Sequence, residues 1–208
     1  MKSLNELYNE IQEAQVYAKG NMDYQSRMLH RIPDAPVVDR TEVFKEFCKG
    51  KVILDIGCTG PMHAELKKVS REVWGIDVNV EPGERYFRYN LDSGGLPLTI
   101  KDKFDLIVCG EVLEHLTNPG NFLSALREAD CGVLVSVPNA HSEVGKNHID
   151  RGVENVNLDH VSYYSYWTLR RLVEKCGYEV LDFYWWDERR KGKPQHSEGI
   201  IFLIRPVR

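Results

Sequence analysis

Hydrophobic residues fall into short, almost uninterrupted runs once residue 50 is passed. Five runs contain few polar positions, and most are rich in β-branched residues: VILDIG (52–57), EVWGIDV (72–78), the weaker ERYFRYNL (84–91), FDLIVCG (104–110) and GVLVSVP (132–138). Segments able to form helices or turns separate them, and runs without polar alternation are typical of strands covered on both faces. The pattern predicts an α/β sandwich with a mostly parallel sheet, whose ligand lies at the carboxyl ends of the strands.

Helical spacing dominates the first fifty residues. Apolar positions from Leu4 to Ala18 recur on one helical face, and a polar linker marked by prolines follows them. Residues 41–48 place Val43, Phe44 and Phe47 on one face, and Gly50 stands where that helix would stop. We therefore assign residues 1–40 to an N-terminal helix with a linker and residues 41–208 to one domain.

The last third of the chain closes the sheet. A helix is predicted from Ser165 to about Cys176, ended by Gly177, and two apolar runs joined by a polar loop then predict an antiparallel hairpin. Trp185 and Trp186 are neighbours in the first of these runs. Because neighbouring strand residues point to opposite faces, we expect at most one of them in the core.

Composition narrows the class of protein. With 208 residues, 42% of them hydrophobic, the chain can form one sizeable core. A net charge of -4 argues against binding nucleic acid by neutralising phosphates over a whole face. Five cysteines without a CxxC pair, a polar start and no apolar run of about 18 residues favour a soluble cytoplasmic protein in a reducing compartment, away from membranes.

Candidate chemistry begins in the stretch LDIGCTG. Asp55 ends the first apolar run, and Gly57 and Gly60 lie in a turn before a helix that begins near Met62. Glycines allow close backbone approach to a ligand, and a helix N-terminus offers free N–H groups. Neither GxxxxGK[ST] nor GxGxxG is present, and a carboxylate here suits a positively charged or hydroxyl-bearing ligand better than a pyrophosphate.

A second acidic residue ends the next apolar run. Asp77 follows the glycine turn by some twenty residues, about the spacing at which an acid accepts the hydroxyls of an adenosine ribose in dinucleotide sites. Together the two ends of these strands predict a site for a nucleoside-containing ligand.

The ordered set of motifs resembles the class I S-adenosylmethionine-dependent methyltransferases, in the branch of methyltransferase domain types 11 and 23. The resemblance covers about Phe47 to Val180 and rests on VILDIGCTG, VWGIDVN, NLDSGGLP, FDLIVCGEVLEHL, GVLVSVPN and LDHVSYYSYWTLRRLVEKCGYEV. It implies a Rossmann-like three-layer sandwich with a seven-stranded, mostly parallel sheet whose last strand is antiparallel. It also implies S-adenosylmethionine as the cofactor, bound across the ends of the first four strands.

The resemblance implies roles for individual residues along the cofactor. The methionine part is assigned to Asp55, Gly57 and Gly60; the ribose to Asp77; the adenine to Leu91 and Asp92; and the amino group to backbone near Cys109 and Gly110. Cys58, Thr59 and Val78 are assigned to the cofactor without a particular part of it. The family usually carries DxGxGxG, whereas Thr59 and Pro61 replace the second and third glycines here. We expect a stiffer turn with fewer glycine contacts, which keeps a helix N-terminus directed at the site.

Catalysis by such an enzyme depends mainly on holding the acceptor and the methyl carbon in line. A base assists when the acceptor is a hydroxyl, and the candidates are His115, His160, His141 and His148. His160 ranks first because the resemblance places its loop over the site, and the resemblance also implies that Glu111 and His115 face the cleft. The hypothesis is methyl transfer to a small-molecule or sugar-like acceptor, most simply on oxygen.

Three alternatives stay open. Glu111, Glu114, His115 and His160 together resemble the ExxEH…H metal set of the small-RNA 2′-O-methyltransferases, although Glu111 and Glu114 also suit an exposed helix start, and we predict no metal. The altered turn would also suit a protein that binds S-adenosylmethionine without catalysis. The third alternative is a nicotinamide-dependent oxidoreductase, but the GxGxxG motif of that class is absent from the sequence. The sequence specifies neither the acceptor nor the oligomeric state.

Overall fold

The computed structural model describes residues 31–93, 104–154, 156–188 and 193–208. The chain divides into two units, Met1–Pro33 and Asp34–Arg208, and the fold below is that of the second unit. The helix predicted from Leu4 to Ala18 lies outside the described residues, and the domain boundary at residue 40 stays a prediction.

An eight-stranded sheet forms the centre of this unit, in the order β1-β7-β8-β6-β5-β2-β3-β4. Its strands are β1 (Val37–Val38), β2 (Val52–Ile56), β3 (Glu72–Asp77), β4 (Tyr86–Arg88), β5 (Leu106–Gly110), β6 (Gly132–Pro138), β7 (Tyr178–Trp186) and β8 (Gly199–Pro206). All neighbours pair in parallel except β8, which is antiparallel to β6 and β7. The predicted fold class, with its mostly parallel sheet and antiparallel last strand, is confirmed.

One strand was not expected from the sequence. The two residues of β1 pair in parallel with Trp185 and Trp186, so a segment assigned to the linker extends the sheet at its β7 edge. Two residues form too short an apolar run to be recognised as a strand, and only the exposed edge of β7 defines them.

Five α-helices lie in the described residues: α1 (Arg40–Cys48), α2 (Pro61–Val69), α3 (Pro119–Leu126), α4 (Glu143–Ile149) and α5 (Tyr166–Lys175). Phe44 and Leu66 from α1 and α2 pack with Ile53, Val108 and Ile201 on one face. Of these helices α5 is the longest, with ten residues, and none of them has the length and apolar character needed to cross a membrane.

The expectation for the two tryptophans was wrong, because both are buried. Trp185 is 1% exposed and packs with Tyr166 and Phe183, whereas Trp186 is 9% exposed and belongs to the core cluster of the opposite face. The side chains do alternate, but helices cover both faces at this point of the sheet. Alternation therefore sends each ring into a different half of the core.

Candidate active site

A cavity of about 540 Å³ opens at the carboxyl ends of β2, β3 and β5. Most residues predicted to bind the cofactor line it, and they come from four loops that the parallel strands bring to one edge. These residues are Asp55, Gly57, Thr59, Gly60, Asp77, Val78, Leu91, Asp92 and Gly110, and the candidate catalytic residues Glu111 and His115 line it as well.

Two predicted cofactor residues lie behind this wall. Cys58 is buried with its sulfur against Gly75, where a Cβ would come within 2.6 Å of it. Cys109 is fully buried in β5. Burial raises the pKa of both thiols, that of Cys58 to about 11. Neither side chain lines the cavity, so a contact with a ligand at these positions is left to the backbone.

The turn after β2 is held by its own backbone. Gly57 has a φ of +80°, and its N–H donates to the carbonyl of Ile76 at 2.9 Å, which ties the turn to β3. Gly60 is the N-cap of α2, and Pro61 occupies its first turn. The proline's fixed φ suits this position, so α2 directs its N-terminus at the cavity without a third glycine. The predicted helix start near Met62 is one residue late.

Replacing Gly57 with alanine is expected to lower the free energy of unfolding by about 2 to 3 kcal/mol. A side chain is strained at this φ, and the new Cβ would lie 2.9 Å from Val112 Cγ2. Urea titration measures the loss. Gly50→Ala is the matched control, because Gly50 has a φ of +70° with no atom within 4 Å of its Cβ position. It should lose only about 1 kcal/mol, and equal losses would rule out the steric contribution.

Asp55 is engaged by a histidine that sequence reasoning missed. Its side chain is buried, and His63 Nδ1 donates to Asp55 Oδ2 at 2.8 Å, while the Tyr86 hydroxyl lies 3.0 Å from Nε2 of the same ring. Burial raises the pKa of Asp55, and the hydrogen bond from His63 opposes that rise. The available signal was a histidine in the first turn of the helix after the acidic strand end.

Arg40 is a second residue that the sequence motifs did not reveal. Its guanidinium lies 3.1 Å from Glu111 Oε1 and 4.8 Å from the centre of the Trp186 ring. The pairing of β1 with β7 carries Arg40 to this place, since Val38 is in register with Trp186. Among the described residues that line the cavity, Arg40 is the one arginine or lysine.

Glu111 is held in an unusual backbone conformation. Its φ is +57°, and Ser136 Oγ donates to its Oε1 at 3.0 Å. Non-glycine residues in this region cost of order 1–3 kcal/mol and persist only where the surroundings determine them. Burial raises the pKa of Glu111, and the charge of Arg40 counteracts that effect. The Glu111 carboxylate therefore forms an ion pair with Arg40 and accepts a hydrogen bond from Ser136.

Glu114, His115 and His160 come together beside the cavity. The rings of His115 and His160 meet edge to face with their centres 4.6 Å apart, and a potential ligand atom from each of the three residues lies within 4.8 Å of the others. Glu114 is buried, and neither carboxylate oxygen meets a hydrogen-bond donor in the described part of the chain. Burial, and then the charge of Glu111, raise the pKa of Glu114 to about 8.

The loop that carries His160 is attached to this cluster. The N–H groups of Val161 and Ser162 both donate to the carbonyl of Glu114, at 2.8 and 3.2 Å. Asp159 lines the cavity. His160 is not among the lining residues, but its ring contacts that of His115, which is. Burial and the neighbouring His115 lower the pKa of His160, which leaves its imidazole unprotonated near neutral pH.

The charges of the lining decide which ligands fit. Carboxylates from Asp55, Asp77, Asp92, Glu111 and Asp159 surround the cavity, and Arg40 supplies its single guanidinium. A pyrophosphate would meet this acidic surface unfavourably, whereas a ligand with a sulfonium, an ammonium and ribose hydroxyls finds acceptors for each. The residues present therefore fit S-adenosylmethionine and disfavour a nicotinamide dinucleotide.

Sequence comparison connects the chain with methyltransferases. The profile of a family described as methyltransferase domain matches residues 25–182, which is more than half of the chain. The mitochondrial ubiquinone biosynthesis O-methyltransferase of Schizosaccharomyces pombe is 31% identical over 141 residues, which cover 58% of this chain and 50% of that protein. The chain thus spans about half the length of this curated relative.

Solved structures share the fold. The S-adenosylmethionine-dependent methyltransferase from Mesorhizobium loti overlaps 79% of this chain and 96% of its own, with a TM-score of 0.56 at 14% identity. The small RNA methyltransferase HEN1 overlaps 88% of this chain and 27% of its own, with a TM-score of 0.64 at 16% identity. At such identities the likeness establishes the Rossmann-like fold and leaves the chemistry to the site.

Proposed function

The chain belongs to the methyltransferase domain family, and we propose that it transfers a methyl group from S-adenosylmethionine to a hydroxyl oxygen of a small-molecule or sugar-like acceptor. The observation that carries the proposal is the acidic cavity at the strand ends, with the Gly57 turn and Asp77 on adjacent strands. Parallel pairing sets Ile56 beside Ile76, so the two strand ends that would hold the methionine and ribose parts are neighbours.

Individual residues are assigned to parts of the cofactor. Asp55, Gly57 and Gly60 border the methionine part, Asp77 accepts the ribose hydroxyls, and Leu91 with Asp92 flanks the adenine. Arg40 is the cation available for the cofactor's carboxylate, because its guanidinium retains N–H donors beyond the one directed at Glu111.

S-adenosylmethionine supplies, when bound, a methyl group on a positively charged sulfur. His160 would take the proton that the acceptor hydroxyl loses when its oxygen is methylated. His115 packs against the His160 ring, and Asp159 lines the cavity. Hydrogen bonds from the loop of residues 157–162 to the Glu114 carbonyl hold Asp159 and His160 in place. A fixed base favours alignment of the acceptor oxygen with the methyl carbon.

Oxygen as the methylated atom is supported by the names of the relatives. Those from Schizosaccharomyces pombe and Proteus mirabilis are both ubiquinone biosynthesis O-methyltransferases. Since the chain covers only part of them, we extend to it the methylation of oxygen on a small molecule and leave their particular acceptor aside.

Two measurements test the proposal. Isothermal titration with S-adenosylhomocysteine, the demethylated cofactor, should show binding, and absence of affinity for it and for S-adenosylmethionine would refute the assignment. A labelled-methyl screen of cell extract should then place label in the small-molecule fraction. Cofactor affinity with no labelled product in any fraction would indicate a non-catalytic binding protein, and label in RNA would favour the second candidate.

The second candidate is a metal-assisted RNA 2′-O-methyltransferase. One observation favours it: the buried Glu114 carboxylate, without a donor among the described residues, adjoins two imidazoles. Oxygen and nitrogen ligands of this kind suit Mg²⁺ or Mn²⁺. Glu111, the fourth residue of the proposed set, instead pairs with Arg40. The expectation of a site without metal stays a prediction.

Removing a metal ligand separates the two candidates. If the cluster holds a cation, Mn²⁺ should bind to the wild-type protein in a paramagnetic resonance titration, and Glu114→Gln should weaken it at least about tenfold. The exposed Glu143→Gln serves as the control for the loss of one carboxylate. A methylation rate that chelation leaves unchanged, together with no binding of Mn²⁺ to the protein, would refute the metal-assisted candidate. The small-molecule O-methyltransferase would then remain.

A further inference from the structure

Two carboxylates of the cavity are each held by a threonine from a neighbouring loop. Thr59 Oγ1 donates to Asp77 Oδ2 at 2.7 Å, and its N–H lies 3.4 Å from the same oxygen. Thr117 donates to Asp92 Oδ1 from both its N–H and its hydroxyl, each at 2.9 Å. We call these pairs the threonine clamps. Each joins loops that follow different strands of the sheet, since Thr59 follows β2 and Thr117 follows β5.

We propose that Thr59 and Thr117 are positioning residues that orient Asp77 and Asp92 for the adenosine part of the cofactor before it binds, an inference that rests on the proposed function. Thr59 occupies the position where the family usually carries its second glycine. A threonine at this position therefore gives up a glycine contact with the ligand and gains a hydrogen bond to Asp77, the carboxylate assigned to the ribose.

The acceptor capacity of Asp77 agrees with this role. A carboxylate offers about two acceptor sites on each oxygen. Oδ2 takes the strong bond from the Thr59 hydroxyl, and Oδ1 takes one from the Asn79 N–H at 2.8 Å. The N–H of Thr59, at 3.4 Å, is a much weaker donor. One site on each oxygen is thus left for each of two ribose hydroxyls.

Asp92 is arranged differently but to the same end. Both donors of Thr117 converge on Oδ1, and within the described residues no hydrogen bond reaches Oδ2. That oxygen is left for a donor on the ligand, such as an exocyclic amino group. Asp92 is exposed, and without the clamp its carboxylate would rotate freely in water, so ordering it would oppose binding.

The experiment is calorimetric titration of S-adenosylhomocysteine into the wild-type protein and paired variants. Thr59→Val and Thr117→Val should each weaken binding about fivefold, a modest value because both bonds are exposed to water. Thr59→Ser keeps the hydroxyl and should bind within about twofold of wild type. Thr41→Val makes the same chemical change on α1, outside the cavity, and should leave binding and stability unchanged.

A double-mutant cycle separates positioning from a general structural effect. If Thr59 acts through Asp77, Thr59→Val should not weaken S-adenosylhomocysteine binding further in a protein that already carries Asp77→Ala. The weaker binding of that background is measured at a higher ligand concentration. Equal weakening in both backgrounds, or single variants that bind as well as wild type or more tightly, would overturn the proposal. A wild-type protein without affinity would instead defeat the proposed function and this inference together, so the two failures are distinguishable.

Discussion

Replacing Asp77 with alanine is expected to weaken binding of S-adenosylhomocysteine about a hundredfold. The carboxylate has two acceptor sites free for the two ribose hydroxyls, and hydrogen bonds to a charged acceptor are among the stronger ones, at about 1.5 to 3 kcal/mol each. Each 1.4 kcal/mol corresponds to about tenfold in affinity, so loss of both bonds gives this magnitude even after some compensation by water. Isothermal titration of the purified variant measures it directly.

The control for Asp77→Ala removes a carboxylate elsewhere. Asp150 is exposed at the end of α4 and does not line the cavity, so Asp150→Ala changes the net charge equally and should bind as wild type. Asp77→Asn keeps one acceptor oxygen and should lose about tenfold. Undiminished affinity of Asp77→Ala, in a variant that unfolds like wild type, would show that the ribose is bound elsewhere.

Replacing His160 with alanine is expected to lower kcat about a hundredfold and to leave the affinity for S-adenosylhomocysteine within twofold of wild type. General-base assistance typically contributes 10²–10⁴ in rate, and the loss should appear in the chemical step because His160 is assigned to the acceptor and not to the cofactor. Burial and the neighbouring His115 lower the pKa of His160, so the base form is present at neutral pH. Single-turnover transfer of labelled methyl to the acceptor found in the extract screen measures the effect.

Two further variants assign the result to His160. His141 is an exposed histidine that does not line the cavity, so His141→Ala should keep the wild-type kcat. His115→Ala shows whether the ring that lines the cavity is the base instead. A full rate for His160→Ala, measured with wild-type cofactor affinity, would exclude it as the base. A loss that chelation reproduces in the wild-type protein would point to the metal cluster.

Some of the site could be predicted because it depends on strand ends. Asp55, Gly57 and Asp77 lie at the ends of adjacent apolar runs, and a parallel sheet brings such ends to one edge whatever the packing around them. The hydrogen bond from Thr59 to Asp77 could not be foreseen, because it spans 18 residues and depends on how the turn closes. The burial of Glu114 was likewise hidden, since EVLEHL predicts an exposed helix start but forms a short 3-10 turn, Leu113–His115, under the His160 loop.

By itself, the sequence determined seven of the eight strands, their mostly parallel arrangement, the antiparallel closing hairpin and the edge at which the cavity lies, because these depend on local periodicity and on residues at the ends of apolar runs. Only the tertiary structure decided the partners of the charged groups. Arg40 reaches Glu111 because a two-residue strand adds to the edge of β7, and His63 reaches Asp55 because α2 begins at Pro61. Both contacts depend on how neighbouring elements pack, which periodicity does not encode.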